Sequence, residues 1–360
     1  MSCGILDART PHMSRETATE RLYSDTIPSV VSIYVTADAE ERPGRPTGGA
    51  GSGFVFDPGV DAPEADDGDG YIVTTQHVVG DASEVDVRFS DGEWRVGTVV
   101  GTDAYTDLAV VRVPDLPTDA TPLPLAATPP APGRPVAALG NPMGLDGSIS
   151  TGIVSGANRS MPTSDGYVIP DTVQTDAPIN PGNSGGPLVT VDDPATADAR
   201  PEVVGVNRAR AGDNIGFAVS AAVVRRVVPV LVTEGQYRHP YLKIRTIDVS
   251  PTVAEANGLD GPGGVLVVDV RLGPASAALK GCRGTERLRG QQVPVGGDVL
   301  TAIDDHPIDT HEELMRYLLL ETRPGEDVTV TLVRDGSVMT ERVTLAERPA
   351  PAPSGRVRVR

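Results

Sequence analysis

The feature that most limits how this chain can fold is a run of short, β-branched apolar segments punctuated by glycine and proline, which extends from residue 30 to a change of pattern at 219. Val30–Val35, Gly53–Phe56, Tyr71–Thr75, Val96–Val100 and Leu108–Val113 are each too short for a stable helix. Branching at Cβ restricts χ1 and suits a pleated surface. Val85, Val87 and Phe89 alternate with Asp86 and Arg88 and run into Asp91-Gly92, a hairpin signal. Aromatic residues make up only 4%, so the cores must be built from Val, Leu, Ile and Ala. With 40 glycines and 33 prolines between the runs, the pattern is that of a mainly β barrel or sandwich and not of a βαβ protein.

The period changes at 219–235. Val223, Val224, Val227, Val228 and Leu231 recur at helical spacing, Ser220 can cap the start and Gly235 the end, and Pro229 is expected to kink the helix. Residues 236–240 read as a linker. An α+β unit follows, with strands at 265–270 and 298–303, a helix at 311–322 opened by the capping box Thr310–Glu313, and a closing hairpin turning at Asp335-Gly336. Gly281–Gly297 reads as a polar loop. A short helix is expected at 14–25, with Ser14 as its N-cap. The organisation expected is therefore a disordered tail at 1–13, a first domain at 14–235, a second at 236–348 and a disordered tail at 349–360. The acidic stretch 57–70 does not have calcium-loop spacing and reads as a solvated insertion.

Charge excludes one class of partner. The net charge is −18, and Lys243 and Lys280 are the only lysines. Phosphate binding needs a basic face, so no nucleic-acid partner is expected. An acidic, lysine-poor surface is also what screening at high salt tolerates, so a halophilic source is expected. Cys3 and Cys282 lie far apart and offer neither a disulfide framework nor zinc spacing. No metal or organic cofactor is implied. No apolar run reaches signal-peptide or membrane-helix length. As written the chain reads as cytoplasmic; a missing N-terminal segment would make it extracytoplasmic.

Candidate chemistry centres on Asn180-Pro181-Gly182-Asn183-Ser184-Gly185-Gly186. A serine hydroxyl attacks an amide only with a base to take its proton and donors to hold the oxyanion. Gly182 lets the backbone turn so that the N–H groups of Gly182 and Ser184 converge beside the hydroxyl. A Gly/Pro surface turn is the plain alternative. His77 ends one apolar strand and Asp107 precedes another, giving the order His77, Asp107, Ser184. That order is used by chymotrypsin-type double barrels, while subtilisins and α/β-hydrolases order the three differently. Asp103 competes with Asp107 for the acidic role, but it sits in the turn, where aspartate commonly makes local hydrogen bonds. His306 and His311 read as surface residues of the second domain.

These motifs resemble the HtrA (Deg) family of trypsin-like serine proteases. The likeness is carried by Thr74–Val79, Thr106–Val110, Gly140–Leu145, Gly152–Ser155, Asn180–Leu188, Gly205–Asn207 and Ile215–Val219, and spans about residues 26–240. Gly273–Ala278, Gly297–Ile303 and Pro324–Val328 resemble a PDZ domain of the same family. The resemblance implies a chymotrypsin-like double β-barrel followed by a PDZ domain. It implies an ATP-independent endopeptidase with His77, Asp107 and Ser184 as triad and Gly182 and Ser184 as oxyanion hole. Trypsin-type enzymes that cut after Arg or Lys carry Asp six residues before the serine; here Pro178 stands there, followed by Ile179 and Asn180. Cleavage after small apolar residues of unfolded proteins is therefore expected.

The likeness also implies that peptide C-termini bind at Tyr241, Leu242, Lys243 and Ile244, where the family's carboxylate-binding loop lies. The family usually has glycine at the position of Lys243. That lysine supplies the charge itself, blocks the nest, or belongs to a plain first strand. A homotrimer joined through the N-terminal segment near Tyr23 is implied as well. Two other functions stay open: a chaperone or PDZ adaptor with secondary protease activity, and a regulatory protease for one specific partner.

Overall fold

The computed structural model describes residues 17–35, 50–59, 68–141, 147–163, 168–191, 201–210 and 214–350. The expected tail 1–13, the cap Ser14, most of the acidic insertion and all of the expected tail 349–360 but its first two residues lie outside them; of those two, Pro349 accepts the Tyr105 hydroxyl through its carbonyl. Two closed six-stranded antiparallel barrels stand in sequence. The first contains β1 (Val30–Tyr34), β2 (Ala50–Phe56), β3 (Gly70–Thr75), β4 (Glu84–Arg88), β5 (Trp94–Asp103) and β6 (Leu108–Val113), in the order β1-β2-β3-β6-β5-β4. The second contains β7 (Pro135–Gly140), β8 (Ser148–Pro162), β9 (Val168–Thr175), β10 (Pro187–Thr190), β11 (Val203–Arg210) and β12 (Gly216–Ser220), in the order β10-β11-β12-β9-β8-β7. Closure leaves no unpaired sheet edge. Val31, Ile33, Val55, Ile72 and Val111 form one core inside the first barrel. Val136, Val154, Val173 and Leu188 form another in the second.

The helices differ in detail from the sequence expectation. α1 spans Ala18–Thr26, not 14–25, because Thr17 is the cap: its hydroxyl accepts the Glu20 N–H while the Glu20 carboxylate takes the Thr17 N–H. A one-turn helix, α2 (Gln76–Val79), follows β3. α3 (Ala221–Glu234) starts at Ser220, whose hydroxyl accepts the Val223 N–H, and ends at Gly235 with φ 76°. It runs on through Pro229 as one helix. Its β-branched residues are mediocre helix formers, so packing holds it. Val223, Val224, Val227, Val228 and Leu231 are fully buried across strands of both barrels. Leu231→Ala would cost about 2–5 kcal/mol in lost transfer energy and cavity.

The C-terminal unit begins with β13 (Pro240–Tyr241) and β14 (Ile244–Asp248), followed by α4 (Pro251–Ala256) and β15 (Val265–Val270). The stretch expected to be a loop at 281–297 is instead a hairpin, β16 (Gly284–Leu288) and β17 (Gln291–Val295), paired from Gly284↔Val295 to Leu288↔Gln291. Then come β18 (Val299–Ile303), β19 (His306–Pro307), α5 (His311–Glu321), β20 (Asp327–Arg334), β21 (Ser337–Thr344) and β22 (Ala346–Glu347). The sheet order β14-β15-β18-β20-β21 leaves β14 at an edge, with α5 packed beside it. Among the described residues no helix is long and apolar enough to cross a membrane.

Candidate functional site

His77 enters the site from α2. The Thr75 backbone is extended at φ −99°, ψ 147°, and the turn that follows puts the imidazole at the end of β3. Asp107 enters from the tight β5–β6 turn with φ 58°, a left-handed backbone that aspartate tolerates better than most residues. Its Oδ1 accepts the His77 backbone N–H at 3.0 Å, and its Oδ2 lies 2.7 Å from His77 Nδ1. The Gln76 N–H also donates to the Asp107 carbonyl. Three bonds thus hold the start of α2 against this turn and fix which ring nitrogen faces the acid. Nε2 is left toward the cleft, the side chain being 42% exposed.

The carboxylate of Asp107 is 5% exposed. Burial pushes its carboxyl up, but the His77 hydrogen bond and charge, together with the Arg208 guanidinium, outweigh burial and hold it below the ordinary value. Arg208 was not singled out in the sequence. Its Nε donates to the same Oδ2 at 2.7 Å. Asp103, the competing acid, behaves as turn chemistry predicts: it accepts from the Tyr105 and Thr106 N–H groups and the Thr106 hydroxyl. It also meets the buried His239 Nε2 at 2.9 Å, a contact nothing local in the sequence signals.

Ser184 sits across the barrel junction on a loop clamped from both sides. Ser52 N–H donates to the Ser184 carbonyl at 2.8 Å, and the Ser52 hydroxyl donates to the Gly182 carbonyl. Gly185 has φ 86°, and a Cβ there would lie 2.1 Å from the Ser52 carbonyl oxygen. Gly182 has φ 104°. Among the described residues no acceptor claims the Gly182 or Ser184 N–H. The Ser184 hydroxyl donates to the Arg208 carbonyl at 3.1 Å. No hydrogen bond joins it to His77 among the described residues, contrary to the direct contact a triad implies. The backbone beside it does abut α2: a Cβ at Gly51 would meet both the Val78 side chain and the Ser184 carbonyl oxygen.

Beside the serine loop lies a cavity of about 120 Å³ lined by Ala177, Pro178, Ile179, Asn180, Asn214, Ile215 and Gly216. Ile179 is buried, and the Pro178 carbonyl accepts the Ser150 hydroxyl. None of these lining side chains is charged, and Gly216 matters: a Cβ there would meet Ile179 Cδ1 at 2.8 Å.

In the C-terminal unit, Tyr241 lies on β13, Leu242 is buried in the core, and Ile244 opens the edge strand β14. Lys243 between them has φ 57°, the backbone region glycine favours. Its Nζ turns to the Leu272 carbonyl at 3.5 Å. His306 is exposed and stacked on Tyr317, as a surface residue. His311 departs from expectation: half-buried, its Nδ1 lies 2.7 Å from the Thr246 hydroxyl. Burial holds its imidazole below the ordinary value, against Asp248 and Glu312. Among the described residues no cluster of His, Cys, Asp and Glu has the makings of a metal site.

Comparison with known proteins agrees with this architecture. The profile of the trypsin-like peptidase domain matches residues 51–195, and that of the PDZ domain matches 240–345. A probable periplasmic serine endoprotease, DegP-like, of Pseudomonas fulva is 34% identical over 90% of this chain, and the chain spans 63% of that protein's length. Protease Do-like 1, chloroplastic, of Arabidopsis thaliana is 34% identical over 93% of this chain and 73% of its own length. Among solved structures, the HtrA-type protease AlgW with a tripeptide superimposes with a TM-score of 0.69 at 26% identity, covering 94% of this chain and 99% of that one. The serine endoprotease from Yersinia pestis gives 0.62 at 27% identity, covering 93% and 100%.

Proposed function

We propose, from the premise that this chain belongs to the HtrA (Deg) family of trypsin-like serine proteases, that it is an ATP-independent endopeptidase cutting unfolded proteins after small apolar residues. The observation that carries this reading is the His77–Asp107 pair at 2.7 Å, facing a serine loop whose Gly182 and Ser184 amides are unclaimed among the described residues.

In this mechanism His77 Nε2 takes the Ser184 proton as Oγ attacks the scissile carbonyl. Asp107 holds Nδ1 and faces the imidazolium that forms. The Gly182 and Ser184 N–H groups receive the oxyanion. His77 then protonates the leaving amine, and water repeats the sequence on the acyl-enzyme. Pro178, Ile179 and Asn180 line the cavity that takes the side chain before the scissile bond, and its uncharged wall favours Ala or Val over Arg or Lys. Such residues are normally buried, which makes a loosened chain the better substrate. In the PDZ domain, a substrate C-terminus adds to the β14 edge, its carboxylate at the backbone of Tyr241–Ile244.

The test is casein digestion by the full chain at matched salt, with product termini mapped by mass spectrometry. Ser184→Ala should lose activity by three or more orders of magnitude. Undiminished cleavage by that variant, or cuts concentrated after Arg and Lys, would reject the reading.

A further inference from the structure

Arg208 touches both ends of the triad. Its guanidinium Nε is 2.7 Å from Asp107 Oδ2, the same oxygen that meets His77 Nδ1 at 2.7 Å. Its backbone carbonyl accepts the Ser184 hydroxyl at 3.1 Å. Neither charged partner is well solvated: the side chain of Asp107 is 5% exposed and that of Arg208 is 17% exposed. Arg208 is the extra residue of a bulge in β11, between the pairs Asn207↔Ala218 and Ala209↔Phe217, which turns it out of the regular ladder. The neighbouring Asn207 N–H donates to the Gly186 carbonyl, and the Asn207 side-chain amide donates to the Leu139 and Pro187 carbonyls.

This arrangement bears on the chemistry. When a serine gives its proton to histidine, the cation that forms is stabilised by the carboxylate behind it. A carboxylate that faces only the imidazole gives that cation its full attraction. Here a permanent cation already shares the oxygen, and weak solvation leaves the opposition between the two cations poorly screened. Asp103, on the same turn as Asp107, is engaged by the Tyr105 and Thr106 amides, the Thr106 hydroxyl and His239 Nε2.

We propose that Arg208 is a positioning residue that restrains the relay: it fixes Asp107 while opposing proton uptake by His77, so that the site works down to lower pH but turns over more slowly. This rests on the triad reading above. The step adds no new bond; the proton still passes from Ser184 Oγ to His77 Nε2, against the field of a neighbouring guanidinium.

The experiment is a pH profile of kcat/KM, from pH 5 to 9 at fixed high salt, for the full chain on a chromogenic peptide with Val before the scissile bond. Arg208→Gln keeps an N–H donor for Asp107 and removes the charge. It should move the acid limb up by about one pH unit and raise the plateau about tenfold. Arg208→Lys, which keeps a cation, should stay on the wild-type limb. A limb that does not move, or moves down, in Arg208→Gln overturns the proposal whatever the plateau does. So does an Arg208→Lys profile that follows Arg208→Gln. Should Arg208→Gln fail to fold by circular dichroism, Arg208→Thr takes its place under the same criteria, and failure of both makes the arginine structural and ends the proposal. Ser184→Ala separates the two readings: if it still cleaves, the triad itself is rejected, whereas an inactive Ser184→Ala together with an unmoved acid limb in Arg208→Gln rejects only the role of Arg208.

Discussion

At Asp107 one carboxylate ties together backbone geometry, charge and stability. Its left-handed φ of 58°, its burial and its three partners all serve a single orientation. Because the folded protein binds the ionised form and holds the carboxyl below its unfolded value, the stabilisation is whole above about pH 4 and is lost as pH falls through the lower folded value. Asp107→Asn should therefore be about 1–3 kcal/mol less stable than wild type at pH 7. Urea unfolding at a series of pH values should show that gap closing below about pH 4. A gap constant down to pH 2 would mean that shape and not charge was lost. Sequence reasoning favoured Asp107 over Asp103 because it abuts a strand, and the structure places it against His77. Arg208 escaped notice because an arginine within a strand has no local signature; its partner is 101 positions away in the chain. The bond of His239 to Asp103 was hidden for the same reason, across 136 positions.

Among the elements, legibility followed how much apolar patterning each one carries. α3 and α5 were readable because their buried stripes and caps are written locally: Ser220 and Gly235 bound the first, and the Thr310–Glu313 box opens the second. The hairpin β16–β17 read as a loop because it is mostly solvated. Its first strand has no buried residue, and Val293 is the buried one in its second. With so little of the pair buried, no inside–outside alternation was there to see. α4 has six residues, too few to show a period. Lys243 is the instructive position between elements. The resemblance places a glycine there, and the backbone keeps a glycine-like φ of 57° although a lysine occupies it. Its ammonium turns to the Leu272 carbonyl, and the stem lies where a Cβ on Gly273 would meet its Cδ at 2.7 Å. A carboxylate nest formed by backbone N–H groups should survive its removal. Lys243→Gly is expected to bind a C-terminal peptide within about threefold of wild type by fluorescence polarisation, and a tenfold loss, about 1.4 kcal/mol, would assign the charge to the ammonium.

On the scale of the whole molecule, the barrels and the PDZ unit meet chiefly through α5, which packs on β8 and β9 of the second barrel and also touches the edge strand β14. Arg316 Nε reaches Asp171 Oδ1 at 3.0 Å, while Asp171 Oδ2 accepts the Ser220 hydroxyl that also caps α3. Around that pair, Glu312 accepts the Ser160 N–H, Arg226 donates to the Thr322 carbonyl, and Tyr237 donates to the Leu319 carbonyl. Leu319 itself belongs to the core that α3 builds with both barrels. Domains joined by a small polar interface move apart by default, but here an acid with 1% of its side chain exposed depends on a cation from the other domain. Arg316→Ala leaves that acid buried beside one hydroxyl. Arg316 is itself 32% exposed, so solvent can partly replace it, and a cost of about 1–3 kcal/mol is expected where a wholly buried pair would lose more. Because the loss falls on the junction and not on either core, it should appear as reduced cooperativity. Calorimetry should resolve two transitions in Arg316→Ala where wild type shows one, with the peptide-binding unit melting first. Arg316→Lys, which can still reach the acid, should restore most of the single transition. A lower but still single transition in Arg316→Ala would mean that the two halves are welded by the Leu319 core and that the ion pair only adds to it.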